Sequence, residues 1–276
     1  MEQRMSRLMN RNPGRVSRLG LILLPFALLL LLYIFSSQAR LAENPNDKLL
    51  PSFTQMADAI DRMAFTPDKR SGDYLWWVDS SASLKRLGIG LSISAAVSLT
   101  LGLAMLIPLV RAPLSPLVTV VSMIPPLSIL PVLFIVMGLG ELSKVMLIVI
   151  GITPVLIRDM QQRVSEIPTE LLIKAQTLGA STWQTLIRVV LPQLLPRLLQ
   201  GLCLALGPAW LFLIAAEAIA STDGLGYRIF LVRRYLAMDV ILPYVAWITL
   251  LAFTMDRSLK GLCRVVFPWF EPKGGQ

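Results

Sequence analysis

The chain has 276 residues, of which 55% are hydrophobic and only 16% charged, and it contains no histidine. So apolar a composition, spread over the whole length, excludes an ordinary soluble domain, where about a quarter of residues are charged. The missing imidazole excludes Ser-His and Cys-His nucleophile pairs, HExxH zinc sites and histidine proton relays.

The net charge of +9 does not point to nucleic acid, because the Lys and Arg residues sit in short stretches between apolar runs. Membrane orientation explains that pattern better. Cys203 and Cys263 lack the spacing of a metal or disulfide pair and read as small apolar packing residues.

In chain order, residues 1–18 form a basic N-terminus with Arg4, Arg7, Arg11, Arg15 and Arg18. Residues 19–37 are a first span, longer than the roughly 7–15 apolar residues of a cleavable signal and therefore a retained anchor. Residues 38–86 form a polar external segment. Within it Phe53, Met56, Ile60 and Met63 recur at helical spacing, which predicts an amphipathic helix at the membrane surface. Leu75, Trp76 and Trp77 resemble an interfacial aromatic anchor.

Residues 87–262 hold five further spans, at about 87–109, 116–137, 143–160, 195–218 and 240–262, each near the length that crosses the hydrocarbon. Residues 263–276 form a C-terminal tail. The pieces 1–18, 110–115, 158–197 and 256–276 carry most of the basic residues, so both ends of a six-span chain belong inside.

Gly88, Gly90, Gly102, Ser92, Ser94 and Ser98 mark the second span as a packing helix, because small side chains let helices approach closely. Pro113, Pro116, Pro125, Pro126 and Pro131 crowd the third span and its entry. Broken helices survive in lipid only where protein or a watery cavity satisfies the freed backbone. The stretch packs inside the bundle, lines a path or is a simple kink without ligand contact, and Ser122, Met123 and Ser128 are candidates for lining such a path.

The loop 158–197 is the longest internal segment. Thr169 is expected to cap a short helix, Gly179 to end it, and Ser181 to cap a second one that Leu191-Pro192 stops. Leu171, Leu172, Ala175 and Leu178, then Trp183, Leu186 and Ile187, supply apolar faces. Two short helices bent at a glycine make a knob that a partner's groove can receive.

Glu217 lies near the outer end of the fifth span, where an ionisable residue is functional by default. It either lines the path or pins the following STDGLGY loop by accepting its backbone N–H groups. Gly224, Gly226 and Tyr227 form a tight external turn, and Arg228, Arg233 and Arg234 read as an external basic cluster, open to anionic solutes or docking carboxylates but more simply facing lipid or solvent. Asp223 has no second aspartate at matching depth, which argues against an intramembrane protease.

The run A-x-x-L-G-A-S, followed by Val189 and Leu191-Pro192, resembles the coupling motif of ABC importer permeases. Ala175, Gly179, Val189, Leu191 and Pro192 fit its spacing, while Ile173 and Lys174 replace its opening Glu-Ala. PSFTQMADAI, SASLKRLGIG, IPPLSILPVLFIVMGLGELSKV, AAEAIASTDGLGYRI and FPWF extend the likeness to the subgroup that imports nitrate, sulfonates and taurine.

The resemblance implies an all-α polytopic fold of the type I importer class, with six transmembrane helices, both termini in the cytoplasm and a cytoplasmic coupling helix. It implies a non-catalytic chain in the bacterial inner membrane, paired with a second copy and surrounded by lipid. Two cytoplasmic ATPase subunits would carry the ATP and Mg, and a periplasmic binding protein would deliver a small, anionic solute. No phosphate-cradling GxxxxGK[ST] occurs in this chain. Glu170, Lys174, Ala175, Leu178, Gly179, Ala180, Ser181, Leu191 and Pro192 become the expected ATPase contacts, with Arg188 at the polar rim. A phosphonate permease and a membrane scaffold or sensor stay open as alternatives.

Overall fold

A computed structural model describes residues 14–44, 47–69 and 71–270. Arg4, Arg7 and Arg11 and the end of the C-terminal tail lie outside the described residues. Among those described, the secondary structure is helical: α1 (Arg15–Glu43), α2 (Phe53–Ala64), α3 (Leu75–Ala104), α4 (Pro108–Val121), α5 (Pro126–Met137), α6 (Glu141–Ser165), α7 (Thr169–Thr177), α8 (Thr182–Thr185), α9 (Leu191–Ala220), α10 (Leu225–Arg233) and α11 (Met238–Val266).

Four of these segments are long and apolar enough to cross a membrane: Gly20–Glu43, Leu75–Ala104, Thr182–Ala220 and Met238–Val266. A fifth forms if α4 and α5 count as one span, but they bend by 95° at the Pro125-Pro126 break. The expected third span is therefore two helices. Neither proline can donate a backbone hydrogen bond, so the helical ladder cannot run through them.

The core lies between α3, α6 and α9. Leu147, Ile148, Ile152, Leu156 and Met160 of α6 are buried against Leu87 and Leu91 of α3 and Leu202, Leu206 and Leu213 of α9. Close approach depends on small residues: a Cβ on Gly90 would meet Ile148 at 2.9 Å, and one on Gly102 would meet Met160 at 2.6 Å. Ser94 and Ser98 are buried in the same seam. Gly88 faces open space and Ser92 is exposed, so the packing expectation holds for only part of that set.

Helix α1 stands nearly free of this core, with 6% of its apolar window buried. Tyr33 donates to the Pro51 carbonyl at 2.6 Å and Ser37 to that of Leu50 at 3.0 Å, tying α1 to the start of α2. Ser52 and Gln55 close a reciprocal capping box there. Ala59 and Ala64 are then buried, with Ile60 and Met63 packed behind them.

Helix α3 begins at Leu75, and its first turn corrects the expected aromatic anchor. Trp76 is a core residue, its ring 4.6 Å from that of Tyr244 and 5.6 Å from that of Trp247. Trp77 is half-exposed and donates its indole N–H to the Ala64 carbonyl at 3.1 Å. Starting the helix here also makes Asp79, Ser83 and Arg86 helical and buried.

Candidate functional site

Two regions collect the functional candidates. The first is the projection between α6 and α9. The N-cap of α7 is Pro168 rather than Thr169, without a side-chain cap bond, because the fixed proline φ already sets the turn. Gly179 ends the helix at φ +79°, with its N–H donating to the Gln176 carbonyl at 2.9 Å and the Ala180 N–H to the Ala175 carbonyl at 3.0 Å. Ser181 caps α8 as expected, accepting from the Gln184 N–H at 3.3 Å while Gln184 accepts from the Ser181 N–H at 2.9 Å.

Leu191-Pro192 does not stop this segment. A π-turn over Leu186–Val190 sends the Leu191 N–H to the Leu186 carbonyl, and the chain runs on into α9. The wider turn accommodates a proline that an unbroken α-helix would reject.

The projection is fastened by Leu172, packed against Val164, Ile167, Val190 and Leu194. Leu186 is also buried, whereas Leu171, Ile173, Leu178, Trp183 and Ile187 are exposed. Leu178 is 87% exposed and Trp183 71%. Glu170, Lys174, Ala180, Ser181 and Arg188 surround them, of which only Ala180 is partly covered. Solvent-facing apolar residues with a polar rim are the composition of an interaction surface.

The second region is a buried charge lattice joining α3, α6, α9, α10 and α11. Glu217 on α9 is fully buried. It accepts from Arg86 at 2.7 Å, from the Ser83 hydroxyl at 2.8 Å and from the Gly226 N–H at 2.9 Å. The expectation that Glu217 pins the following loop is thus met geometrically. Gly224 sits at φ +114°, and a Cβ there would lie 2.5 Å from the Glu217 carboxyl carbon. Only glycine fits that turn.

Arg86 extends the lattice to Glu141 at 2.8 Å and to Asp223, and Lys144 joins through Glu141 at 2.8 Å. Asp79, fully buried about two turns before Arg86 on α3, receives Arg228 at 2.7 Å, the Gly224 N–H at 3.0 Å and Tyr244 at 3.2 Å. Arg228 therefore turns inward onto a carboxylate, which corrects its expected place facing lipid or solvent. Asp223, set aside for want of a second aspartate, is a partner of Arg86. Asp79, Arg86, Glu141 and Lys144 escape sequence reading because a span drawn from residue 87 leaves the first two outside it. Their polarity within an apolar helix was the available clue.

Ser83 serves both sides, donating to Glu217 and accepting from the Leu225 N–H at 2.9 Å. Ser83→Ala leaves that buried N–H unsatisfied and is expected to lower stability by about 1–2 kcal/mol. A thermal melt of the detergent-purified chain measures the loss.

The path candidates do not converge. Ser122 is partly buried on the α4–α5 break, Met123 and Ser128 are exposed there, and Glu217 is sealed in the lattice. No group of three or more Cys, Asp or Glu side chains among the described residues is placed to hold a metal ion. Cys203 and Cys263 are free thiols lining one cavity between α9 and α11.

Residues 88–269 match the model of the binding-protein-dependent transport system inner membrane component family. The chain is 37% identical over 198 residues to the taurine transport system permease protein TauC of Escherichia coli, covering 71% of this chain and 72% of that protein. It is 28% identical to the bicarbonate transport system permease protein CmpB of Synechocystis, covering 70% of each. In fold it resembles a chain of the bacterial alginate ABC transporter solved with an alginate-bound periplasmic protein, with a TM-score of 0.61, 14% identity and coverage of 91% and 96%.

Proposed function

The chain belongs to the family of binding-protein-dependent transport system inner membrane components, and from that premise we propose how it works as the permease subunit of an ATP-driven importer. Its six spans are α1, α3, the broken α4–α5 pair, α6, α8–α9 and α11, with both termini in the cytoplasm. The basic stretches flanking α1, α4, α6 and α11 support that orientation. Helices α2 and α10 then lie outside and the α7–α8 projection inside.

Two copies of the chain enclose the path in the bacterial inner membrane. Two ATPase subunits bind ATP and Mg and grip the projection of each copy. A periplasmic binding protein delivers a small anionic solute of the sulfonate, taurine or nitrate kind. The observation that carries this reading is the outward-facing pair Leu178 and Trp183, held at a left-handed glycine where the family's coupling motif falls. ATP-driven closure of the partners would push on this element and switch the bundle between two packed arrangements.

Co-expression with candidate ATPases followed by affinity purification tests the assignment. A stoichiometric complex, with ATP-dependent uptake of radiolabelled taurine into proteoliposomes when the binding protein is added, is the expected result. A folded chain that retains no ATPase would replace the permease reading with that of a scaffold.

A further inference from the structure

A polar crevice of about 520 Å3 separates α4 from α6, near the end of α6 that leads into the projection. Arg158 reaches across it from α6 and donates to the Ser122 hydroxyl at 3.0 Å. Gln161, one turn on, donates to the Ser115 hydroxyl at 2.8 Å. Arg111 of α4 lines the same space, as does Thr119, whose hydroxyl is turned back to the Ser115 carbonyl at 2.8 Å.

The charge balance separates this crevice from the lattice above. Arg86 and Arg228 each rest on buried carboxylates. Neither Arg111 nor Arg158 has an ion-pair partner among the described residues. The one carboxylate lining the crevice, Asp159, is taken by Arg163 on the next turn of α6 at 3.4 Å. Arg111 and Arg158, both exposed, therefore line one polar crevice without a carboxylate partner, and a guanidinium presents paired donors that match a planar or tetrahedral oxyanion.

An arginine kept only for membrane orientation would extend toward the headgroups. Arg158 instead bridges to Ser122 at the end of α4, beside the double-proline break.

We infer that Arg111 and Arg158 form an oxyanion site at the inner mouth of the path, which takes the sulfonate or similar head of the solute as it leaves. The inference rests on the transport reading above. The same chemistry would also accept a phospholipid phosphate, and the test separates the two sources.

The complex with its ATPases is reconstituted into nanodiscs of phosphatidylcholine alone, and its thermal midpoint is followed against methanesulfonate, with sodium chloride at equal ionic strength as control. Saturable stabilisation by methanesulfonate is expected. Arg158→Gln and Arg111→Gln should each weaken it about tenfold or more, the scale of one lost charge-assisted hydrogen bond, and Arg158→Lys should keep most of it. Identical titrations for native and Arg158→Gln complexes would overturn the proposal. So would a midpoint that responds only to added phosphatidylglycerol, which would make the crevice a lipid site. Uptake by the native complex is recorded in parallel, so a failed transport reading shows as absent uptake and a failed oxyanion site as normal uptake with no methanesulfonate response.

Discussion

Glu217→Ala is expected to destabilise the bundle by about 3–5 kcal/mol, the scale of removing one partner from a buried ion pair. Arg86 would keep Glu141 and Asp223, but the side chains of these two are 63% and 40% exposed and hold only its outer edge. Its inner edge, bonded to Glu217 at 2.7 Å, would keep only the Asp223 carbonyl at 3.1 Å. The Gly226 N–H and the Ser83 hydroxyl would lose their acceptor together. Because these groups tether the loop that opens α10, local opening should exceed the global loss.

Two measurements check this. The thermal midpoint in detergent should fall well below the native value, and amide exchange at Leu225 and Gly226 should quicken more than in the middle of α6. Glu217→Gln keeps the shape and one acceptor and should fall between the two. Arg86→Leu combined with Glu217→Leu removes both charges and should recover part of the loss. A native midpoint for Glu217→Ala would show that the lattice is not what holds α10 to the core.

Gly179→Pro is expected to leave the bundle folded and to abolish ATPase binding. The glycine φ of +79° is closed to proline, whose ring holds φ near −65°. The substitution also removes the N–H that bonds the Gln176 carbonyl at 2.9 Å. Helix α7 buries none of its residues fully, so the distortion stays within the projection.

Its effect falls on Leu178, the residue before the new proline, and through the α7–α8 bend on Trp183. Loss of two central apolar contacts at an interface costs about 2 kcal/mol or more, roughly a thirtyfold weakening. Pull-down of the ATPase by the native chain but not by Gly179→Pro, with unchanged helical circular dichroism, is the expected pair of results. Leu178→Ala should weaken binding without altering the bend, since its side chain is mostly in solvent. Full ATPase recovery by Gly179→Pro would place the interface elsewhere.

The local features were legible in the sequence. Gly179 ends a helix and Ser181 caps the next because left-handed φ and a short hydroxyl are local requirements, satisfied within a few residues. Apolar runs pointed to the long helices, although α3 begins at Leu75 rather than near residue 87. Thr169 does not cap α7 and Leu191-Pro192 does not stop its segment, because neighbouring geometry offers another solution: a proline that presets the turn, and a π-turn that absorbs one.

What only the tertiary structure decided is pairing across distance. Asp79 and Arg228 are far apart in sequence, as are Arg86 and Glu217, and no spacing rule links them. Each ionised group would be too costly to bury alone, and each becomes tolerable because the partner arrives from another helix. The same holds for Arg111 and Arg158, whose shared crevice exists only once α4 folds back against α6. Composition and apolar runs pointed to a helical membrane protein, and local turn chemistry to a projection bent at a glycine. The packing of the helices determined which of its charges meet a carboxylate and which do not, because Coulomb energy depends on separation in space and the surrounding dielectric, neither of which the order of residues contains.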